Sequence, residues 1–365
     1  MEQRTRVAVI FGGRSAEHEV SLQSAKNIIE AIDKNRYEVV PIGIDKQGGW
    51  RVGQESHYLL HADNPKLIAL NHSGESVALV PSPVEKNLVP LEGGLPLEPV
   101  DVVFPVLHGP YGEDGTIQGL LKLAGIPFVG AGVLGSALGM DKDVMKRLFR
   151  DAGLPVSKFV VLRRNATPDV AAILREVGLP CFVKPANMGS SVGVSKVESA
   201  DQLPEAIRAA FIYDHKVVVE EYIAGRELEC SVLGNDAPIA SVPGEIVPHA
   251  DFYSYEAKYI DENGAELIIP ANVPADIVQQ IQKLSIAAFQ TLECEGMARV
   301  DMFLRGSNEL VLNEINTIPG FTRISMYPKL WEASGLSYPE LINRLIQLAL
   351  ERHQRDQALK TTYEA

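Results

Sequence analysis

Two neighbouring segments, residues 296–304 and 312–317, constrain the fold of this chain more than any other feature. Apolar and polar residues alternate with period two in each segment, which predicts two β-strands. The polar residues between them predict a tight turn with Gly306 and Ser307 at its tip. Because side chains two positions apart share a face of a strand, one face of this hairpin is expected to carry six side chains. They are Arg299, Asp301, Phe303, Leu312, Glu314 and Asn316.

The predicted register brings two acidic residues to the same face of the hairpin. Glu314 is expected opposite Arg299. Asp301 is expected opposite Leu312, which makes the two acids diagonal neighbours, roughly 7–8 Å apart at the backbone. Two carboxylates about 4 Å apart repel by roughly 4 kcal/mol at an effective dielectric constant of about 20, and a shared divalent cation removes that repulsion. Oxygen ligands, including the Asn316 amide, suit Mg²⁺ or Mn²⁺ rather than zinc; the alternative is a solvated face with a surface ion pair.

The composition bounds the class of protein. The chain has 365 residues, enough for two or three domains, and its 46% hydrophobic and 22% charged content is ordinary for a globular protein. The net charge is −13 without any long run of Lys or Arg, so no nucleic-acid partner is expected. No segment approaches about 18 consecutive apolar residues, so no membrane partner is expected. Three cysteines in apolar surroundings, Cys181, Cys230 and Cys294, indicate reduced thiols and a cytoplasmic protein.

The chain begins with a pattern of strands and helices that is typical of an α/β domain. Short apolar runs at residues 7–11, 39–44 and 100–107 predict buried strands, with an amphipathic helix after the first. Strands that alternate with helices argue for a parallel sheet. Residues 46–98 are rich in Gly, Pro, Asn and Ser, and they predict an insertion of loops and short strands.

Capping residues predict where several helices begin. Ser15 is expected to cap the first helix, and Thr167 with its following proline to open a helix near residue 169. Ser337 and Glu340 form a capping-box pattern before the final helix. The polar and aromatic segment 245–270 shows little periodicity and predicts a long loop, which in an enzyme often serves as a lid.

A second candidate site lies in the segment 183–194, where a strand runs into a loop of small residues. Gly189 and Gly193 permit backbone conformations that turn amide groups toward an anion, and Lys184 brings a positive charge to the strand end. The G-x-x-x-x-G-K-[ST] phosphate-binding pattern is absent. The alternative is an ordinary Ser/Gly hairpin loop.

Two further strand ends carry polar clusters. In the segment 217–227, Glu220 and Glu221 end an apolar strand, a mixture that an adenosine site needs, although a solvated strand end is the alternative. His108 follows the strand near residue 107, at the edge where parallel α/β sheets bind ligands, and Glu17 lies past the first strand at the same edge. Glu113 and the adjacent Asp114 either belong to this site or cap the next helix.

Taken together, these strings resemble the D-alanine–D-alanine ligases of the ATP-grasp superfamily, from about residue 5 to 353. The segments 108–119 and 292–320 look like the signatures of that family. The insertion at 46–98 is similar to that of the longer subgroup, which also contains resistance ligases that make D-alanyl-D-lactate.

The resemblance implies an α/β chain, α+β in its later parts, with an ATP-grasp fold preceded by an N-terminal parallel-sheet α/β domain. It implies an N-terminal domain at 1–140, a central lid domain at 141–228 and a C-terminal domain at 229–365. A mobile loop near 248–266 belongs to the last of these. ATP is expected between the central and C-terminal domains.

The resemblance also implies roles for individual residues. Asp301, Glu314 and Asn316 are expected to hold two Mg²⁺ or Mn²⁺ ions. Substrate contacts fall to Glu17, which binds the ammonium of the first D-alanine, to Arg299, which stabilises the oxyanion, and to His108, Gly320, Ser325 and Met326. Tyr259, beside Lys258, is expected to link to Ser190 and Glu17 and close the site. The ATP-binding residues are expected to be Lys142, Lys184, Ser190, Ser191, Glu220, Glu221, Ile223, Glu227 and Phe303.

The activity that the resemblance implies is ATP-dependent joining of two D-alanines through an acyl phosphate, for peptidoglycan precursor synthesis. The partners it implies are ATP and D-alanine, with a second copy of the chain in a homodimer. The Lys258–Tyr259 pair resembles that of dipeptide-making members. Two alternatives remain: a ligase that makes D-alanyl-D-lactate or D-alanyl-D-serine, and a nucleotide-binding regulator without catalysis.

Overall fold

The first sheet of this computed structural model has six strands in the order β7-β6-β3-β2-β1-β8. The residues that the structure describes are 4–54, 57–80, 88–93, 97–165, 167–248 and 264–360. The elements of the first part are β1 (Thr5–Gly12), α1 (His18–Ala31), β2 (Tyr37–Ile44), β3 (Trp50–Val52), β4 (Leu59–Leu60), β5 (Ala69–Leu70), β6 (Glu75–Leu79), β7 (Leu88–Pro90), β8 (Val102–Val106), α2 (Thr116–Leu123), α3 (Val133–Met140) and α4 (Lys142–Asp151).

The centre of this sheet is parallel, as the alternation of strands and helices predicts. β1 pairs with β2 on one side and with β8 on the other, both in parallel register. The described parts of the insertion form short strands, of which β3, β6 and β7 extend the sheet in antiparallel register. The prediction of loops and short strands at 46–98 is therefore confirmed where the insertion is described.

The second sheet has four antiparallel strands in the order β11-β10-β12-β9. Its elements are β9 (Phe159–Arg163), α5 (Val170–Val177), β10 (Cys181–Pro185), β11 (Ser195–Val197), α6 (Leu203–Ala210) and β12 (Lys216–Glu221). Apolar residues of both helices pack on one face of the sheet in a separate hydrophobic cluster. The opposite face is thus left for polar contacts.

The third sheet runs β16-β15-β13-β17-β18, with a short β14 beside β13. Its elements are β13 (Arg226–Gly234), β14 (Ile239–Ala240), β15 (Gly244–Pro248), β16 (Ala265–Ile268), α7 (Ala275–Thr291), β17 (Gly296–Arg305), β18 (Glu309–Asn316), α8 (Met326–Ala333) and α9 (Tyr338–Gln357). Together the three sheets form a mixed α/β fold. The predicted domain boundaries at residues 140 and 228 stay a prediction.

The β17–β18 hairpin forms as predicted, but its predicted register is wrong. Arg305 pairs with Glu309, so three residues rather than two lie in the turn. A β-bulge follows, because Met302 pairs with Leu312 while Asp301 pairs with Glu314, which leaves Asn313 unpaired. The turn and the bulge together shift the register by two residues beyond the bulge.

The shifted register changes two predicted neighbours and keeps the shared face of the acids. Arg299 lies opposite Asn316 rather than Glu314, and Asp301 lies directly opposite Glu314 rather than diagonal to it. Leu312, expected on the polar face, is fully buried in the core instead.

Two predicted helix caps are wrong and one is confirmed. Helix α1 starts after its N-cap residue, Glu17. The Ser15 hydroxyl accepts the Glu17 N–H and does not cap the helix. Helix α5 is capped by Asp169, whose carboxylate accepts the Ala172 N–H, rather than by the Thr167–Pro168 pair. The capping box at Ser337 forms as predicted.

One hydrophobic core joins the first sheet to the last helix. It contains residues of β1, α1 and β8 together with residues of α8 and α9. Phe321 lies at its centre, fully buried, with its ring 5.9 Å from that of Phe104 and 5.6 Å from that of Tyr327. Within the described ranges, no helix has the length and apolar character needed to cross a membrane.

Candidate active site

The segments that follow β1 and β8 line a cleft together with the third sheet and the loop after β10. Nine residues that the sequence analysis assigns to the site line it. They are Glu17, His108, Ser190, Arg299, Glu314, Asn316, Gly320, Ser325 and Met326.

Glu17 and Ser190 are distant in sequence and hydrogen bonded in the cleft. The Ser190 hydroxyl donates to the buried Glu17 carboxylate. Ser190 and the next residue, Ser191, have φ angles of 50° and 61°, a left-handed backbone that non-glycine residues rarely adopt. A Cβ at Gly189 would lie only 2.9 Å from Glu17 Oε2, so the close approach of the loop to this carboxylate favours glycine there.

His108 is held by two hydrogen bonds that define its protonation. Its Nδ1 lies 3.0 Å from the Ile318 carbonyl oxygen, which can only accept, so Nδ1 carries the proton. Ser24 Oγ accepts the Phe321 N–H at 3.1 Å, and its hydroxyl donates to His108 Nε2 at 3.3 Å. Complete burial lowers the pKa of His108 to about 4, and the ring is therefore neutral at neutral pH.

Glu113 lies in the cleft and does not cap the following helix. Its two carboxylate oxygens accept the N–H groups of Gly109 at 2.8 Å and Ile318 at 3.1 Å. Helix α2 starts after Gly115, and the Asp114 carboxylate accepts the N–H of Thr116, the first residue of the helix, at 2.9 Å. Burial and then the charge of Glu17 raise the pKa of Glu113 to about 8. Glu113 is thus a site residue that the sequence analysis leaves undecided.

Three acidic residues stand side by side on three neighbouring strands. Glu229 of β13 is the direct partner of Asp301 on β17, which is the direct partner of Glu314 on β18. Arg299 binds two of them: its guanidinium donates twice to Asp301, at 2.7 Å each, and its Nε lies 2.9 Å from Glu229. Glu229, which lines the cleft, is a residue that the sequence analysis misses.

The residues expected to bind metal supply oxygen ligands suited to a hard divalent cation. Asp301 Oδ2 accepts a hydrogen bond from the Asn316 amide at 3.0 Å, and Glu314 lies 3.4 Å from Lys142 Nζ. Across the described part of the chain, no three His, Cys, Asp or Glu side chains are grouped as ligands. The chemistry of the donor set, two facing carboxylates and an amide oxygen, fits Mg²⁺ or Mn²⁺.

A buried ionic cluster stands beside these acids. Glu220 Oε2 lies 3.0 Å from Lys184 Nζ, and its Oε1 lies 3.5 Å from Lys146 Nζ. Burial acts to raise the pKa of Glu220, but the charges of these two lysines outweigh it and lower the pKa. Lys146, absent from the predicted site, follows Lys142 by one turn of α4 and donates to Ser157 Oγ at 3.0 Å. Burial lowers its pKa.

The residues expected around adenosine lie on β12, β13 and β17, except for Ile223, which lies between β12 and β13. Glu227 and Phe303 are direct partners across the β13–β17 pair. Ile223 is buried, and the Glu221 carboxylate accepts the Lys158 N–H at 2.8 Å. Lys258 and Tyr259 lie outside the residues that the structure describes.

Comparison with known families decides which family this site belongs to. The family model described as D-ala D-ala ligase N-terminus matches residues 6–131, and the one described as D-ala D-ala ligase C-terminus matches residues 148–347. This chain belongs to the D-alanine–D-alanine ligase family. Members of this family are ATP-dependent ligases, which implies the use of ATP and a divalent metal.

Individual family members resemble the chain over its whole length. It is 58% identical to D-alanine–D-alanine ligase A of Escherichia coli K12 over 362 residues, 99% of this chain and 100% of the relative. The D-alanine–D-alanine ligase structure from Coxiella burnetii superposes with a TM-score of 0.84 at 40% identity, covering 97% and 96% of the two chains. A D-Ala:D-Ser ligase structure from Enterococcus faecalis gives 0.82 at 39% identity, covering 95% of this chain and 100% of that one.

Proposed function

We propose that this ligase joins two D-alanines into D-alanyl-D-alanine at the expense of ATP, a step of peptidoglycan precursor synthesis. The observation that carries the proposal is the cleft in which the row of acids, Arg299 and the Glu17–Ser190 pair lie together. A carboxylate is a poor electrophile, so it must first be made reactive. An oxygen of the first D-alanine carboxylate attacks the γ-phosphorus of ATP, and ADP leaves with the electrons of the broken P–O bond.

The amine of the second D-alanine then attacks the carbon of this acyl phosphate. The new amide bond forms as the bond between the acyl carbon and the phosphate oxygen breaks. Inorganic phosphate leaves with those electrons and takes up the proton that the amine loses. Arg299 is placed to stabilise the tetrahedral oxyanion, since a preorganised cation acts on the charge as it develops. The Glu17 carboxylate binds the ammonium of the first D-alanine and is itself oriented by the Ser190 hydroxyl.

Asp301, Glu314 and Asn316 would hold the divalent cations, two Mg²⁺ or Mn²⁺ ions. Such ions, when bound, neutralise charge on the phosphates of ATP. Lys142, whose ammonium lies 3.4 Å from Glu314, would stand beside these ions at the phosphates. We assign the phosphates to Lys142, Lys184 and the Ser190–Ser191 loop. The adenosine is assigned to Glu220, Glu221, Ile223, Glu227 and Phe303.

The second D-alanine would bind near the start of α8. Ser325 is the N-cap of α8, and its hydroxyl accepts the Thr322 N–H at 2.9 Å. A Cβ at Gly320 would lie 2.6 Å from Ser325 Oγ, so the bare backbone there keeps this hydroxyl in place. A carboxylate near the amino end of a helix is also favoured by the helix dipole. Together with Met326, these residues would position the carboxylate of the second substrate.

Several further assignments follow from the family and complete the proposal. Tyr259 and Lys258 would close the site from the loop near 248–266. The domains would divide at residues 140 and 228, and the chain would act as a homodimer. A cytoplasmic location is supported by three buried free cysteines, and the net charge of −13 argues against a nucleic-acid partner.

The decisive experiment measures phosphate release from ATP with D-alanine as the sole amino acid. We expect release that depends on D-alanine and a divalent cation, with D-alanyl-D-alanine as the product. D-Serine and D-lactate, each offered together with D-alanine, test the alternative of a ligase that makes D-alanyl-D-serine or D-alanyl-D-lactate. This test is needed because the chain also resembles a D-Ala:D-Ser ligase structure. Nucleotide binding without D-alanine-dependent phosphate release would indicate a regulator and overturn the proposal.

A further inference from the structure

The start of β12 binds two elements that the proposed function assigns to phosphate binding. Lys216, the first residue of β12, is buried, and its Nζ lies 2.6 Å and 2.5 Å from the two carboxylate oxygens of Asp141. The same Nζ lies 3.1 Å from Asp143 Oδ2. Asp141 is the N-cap of α4 and accepts the N–H groups of Asp143 and Val144. Lys216 therefore fixes the residue that starts helix α4.

A backbone chain reinforces this contact. The Lys142 N–H donates to the Ala186 carbonyl at 3.0 Å, and the Ala186 N–H donates to the Lys216 carbonyl at 3.0 Å. Lys142 then extends its side chain to the Met188 carbonyl at 2.8 Å and to Glu314 at 3.4 Å. The position of the Lys142 ammonium thus depends on where Lys216 holds the start of α4.

Asp214, two residues before Lys216, holds the other element. One of its carboxylate oxygens accepts both the Asn187 N–H at 2.8 Å and the Asn187 side-chain amide at 3.0 Å. The other oxygen accepts the Lys216 N–H at 3.1 Å. Asn187 starts the loop that carries Ser190, whose hydroxyl donates to Glu17.

Charge balance explains why a lysine suits this position. Asp141 and Asp143 are two residues apart and both face Lys216, so without a cation they would repel each other. Arg147 also binds Asp143, at 2.8 Å, but Asp141 receives its short contacts from Lys216. Removing one member of a buried ionic set leaves charge uncompensated, and the surrounding segments must then move.

We propose that Lys216 and Asp214 are positioning residues for the nucleotide: they set the α4 ammonium of Lys142 and the 187–194 loop at the spacing that a triphosphate requires. This inference rests on the proposed ATP site, because it assigns no substrate contact to either residue. It predicts that loss of Lys216 weakens nucleotide binding while the D-alanine contacts at Glu17 and Arg299 remain.

The test compares Lys216→Met with the wild-type enzyme. We expect the dissociation constant for MgADP, measured by titration calorimetry, and the KM for ATP to rise roughly 10–100-fold, the range for loss of one hydrogen bond to a charged group. The KM for D-alanine should stay unchanged. Lys216→Arg, which keeps a cation for both aspartates, should restore most of the nucleotide affinity. Asp214→Ala should weaken MgADP binding in the same sense.

Two further variants separate positioning from stability. Lys216→Met combined with Asp141→Asn removes the uncompensated charge and keeps a good N-cap, so it should regain thermal stability but not nucleotide affinity. Lys196→Met is the matched control, because Lys196 lies on the same sheet and is ion-paired with Glu198 at 3.0 Å. We expect that variant to bind MgADP as the wild type does.

The outcomes are distinct. Wild-type affinity for MgADP in Lys216→Met, or in the double variant, would overturn this inference and leave the proposed function standing. Equal rises in the KM values for ATP and D-alanine would also overturn it. A general structural defect raises both values, whereas a role in positioning the nucleotide raises only the KM for ATP. A wild-type enzyme that does not bind MgADP would overturn the proposed function itself.

Discussion

Arg299 contacts Asp301 and Glu229 at once, which gives the side chain one fixed position in the cleft. A guanidinium held in this way needs no reorganisation when an oxyanion forms beside it. The same contacts mean that removing it leaves two buried acids without their shared cation. Its contributions to catalysis and to stability must therefore be measured separately.

We predict that Arg299→Ala lowers kcat by about 10²–10³-fold, the range for loss of one oxyanion donor. Phosphate release at saturating D-alanine measures the rate, and thermal unfolding reports any loss of folded protein. Arg299→Lys is the matched control: it keeps the charge but loses the paired contact with Asp301, so we expect an intermediate rate. An Arg299→Ala enzyme with the wild-type rate constant would exclude the oxyanion role.

The buried ring of His108 predicts a loss of stability in acid. Its pKa is about 4 in the folded chain, below the ordinary value of 6.5, so the unfolded chain binds the proton more tightly. The contribution is fully present above pH 6.5 and is lost as the pH falls toward 4, with a slope of up to about 1.4 kcal/mol per pH unit.

Chemical denaturation at several pH values between 4 and 6.5 tests this prediction, expressed as the slope of the unfolding free energy against pH. His108→Gln should lower this slope relative to wild type between pH 4 and pH 6.5. Glu113, whose pKa of about 8 gives a slope of opposite sign, is present in both proteins. Equal slopes for wild type and His108→Gln would contradict the assignment.

At the level of single residues, the sequence predicts the polar groups that follow apolar strands. Glu17 and His108 are found this way because the ends of neighbouring parallel strands meet. Glu229 is missed because it lies inside a strand, where only its pairing with Asp301 reveals it. Lys146 is missed because its spacing of four residues from Lys142 fits an ordinary helix surface as well as a site.

The hairpin β17–β18 shows how an element can be predicted while its register is not. The alternation of residues locates both strands, and the shared face of Asp301 and Glu314 is confirmed, although the two acids are direct rather than diagonal partners. The turn length and the bulge depend on local backbone geometry that alternation does not encode. The turn and the bulge each displace the register by one residue. Together they place Asp301 and Glu314 on the same face and leave Leu312 on the other.

A single substitution on β18 tests directly whether Glu314 is a metal ligand. We predict that Glu314→Ala abolishes turnover, because Glu314 faces Asp301 and Lys142 in the cleft. Glu309→Ala is the matched control, since Glu309 lies at the far end of β18 and pairs with Arg305 near the surface. A near-normal rate of phosphate release in Glu314→Ala would refute the role.

At the scale of the whole molecule, Phe321 connects the first sheet to helix α8. Its ring packs on Phe104 of the first sheet and on Tyr327 of α8, and its carbonyl accepts bonds from Asn27 and Tyr338. We predict that Phe321→Ala lowers the free energy of unfolding by about 3–5 kcal/mol, the usual loss for a buried phenylalanine. Denaturant titration measures it. Phe321→Leu should lose clearly less, and an unchanged midpoint for Phe321→Ala would contradict the assigned packing.

The core shared by β1, β8 and α9 has a consequence for synthesis of the protein. The first strand leaves the ribosome long before the helix that packs beside it. Until α9 has been translated, the N-terminal sheet presents an apolar face without its partner, and exposed surface of this kind promotes aggregation. Nascent chains stalled before α9 should thus be clients of chaperones, whereas released chains should not.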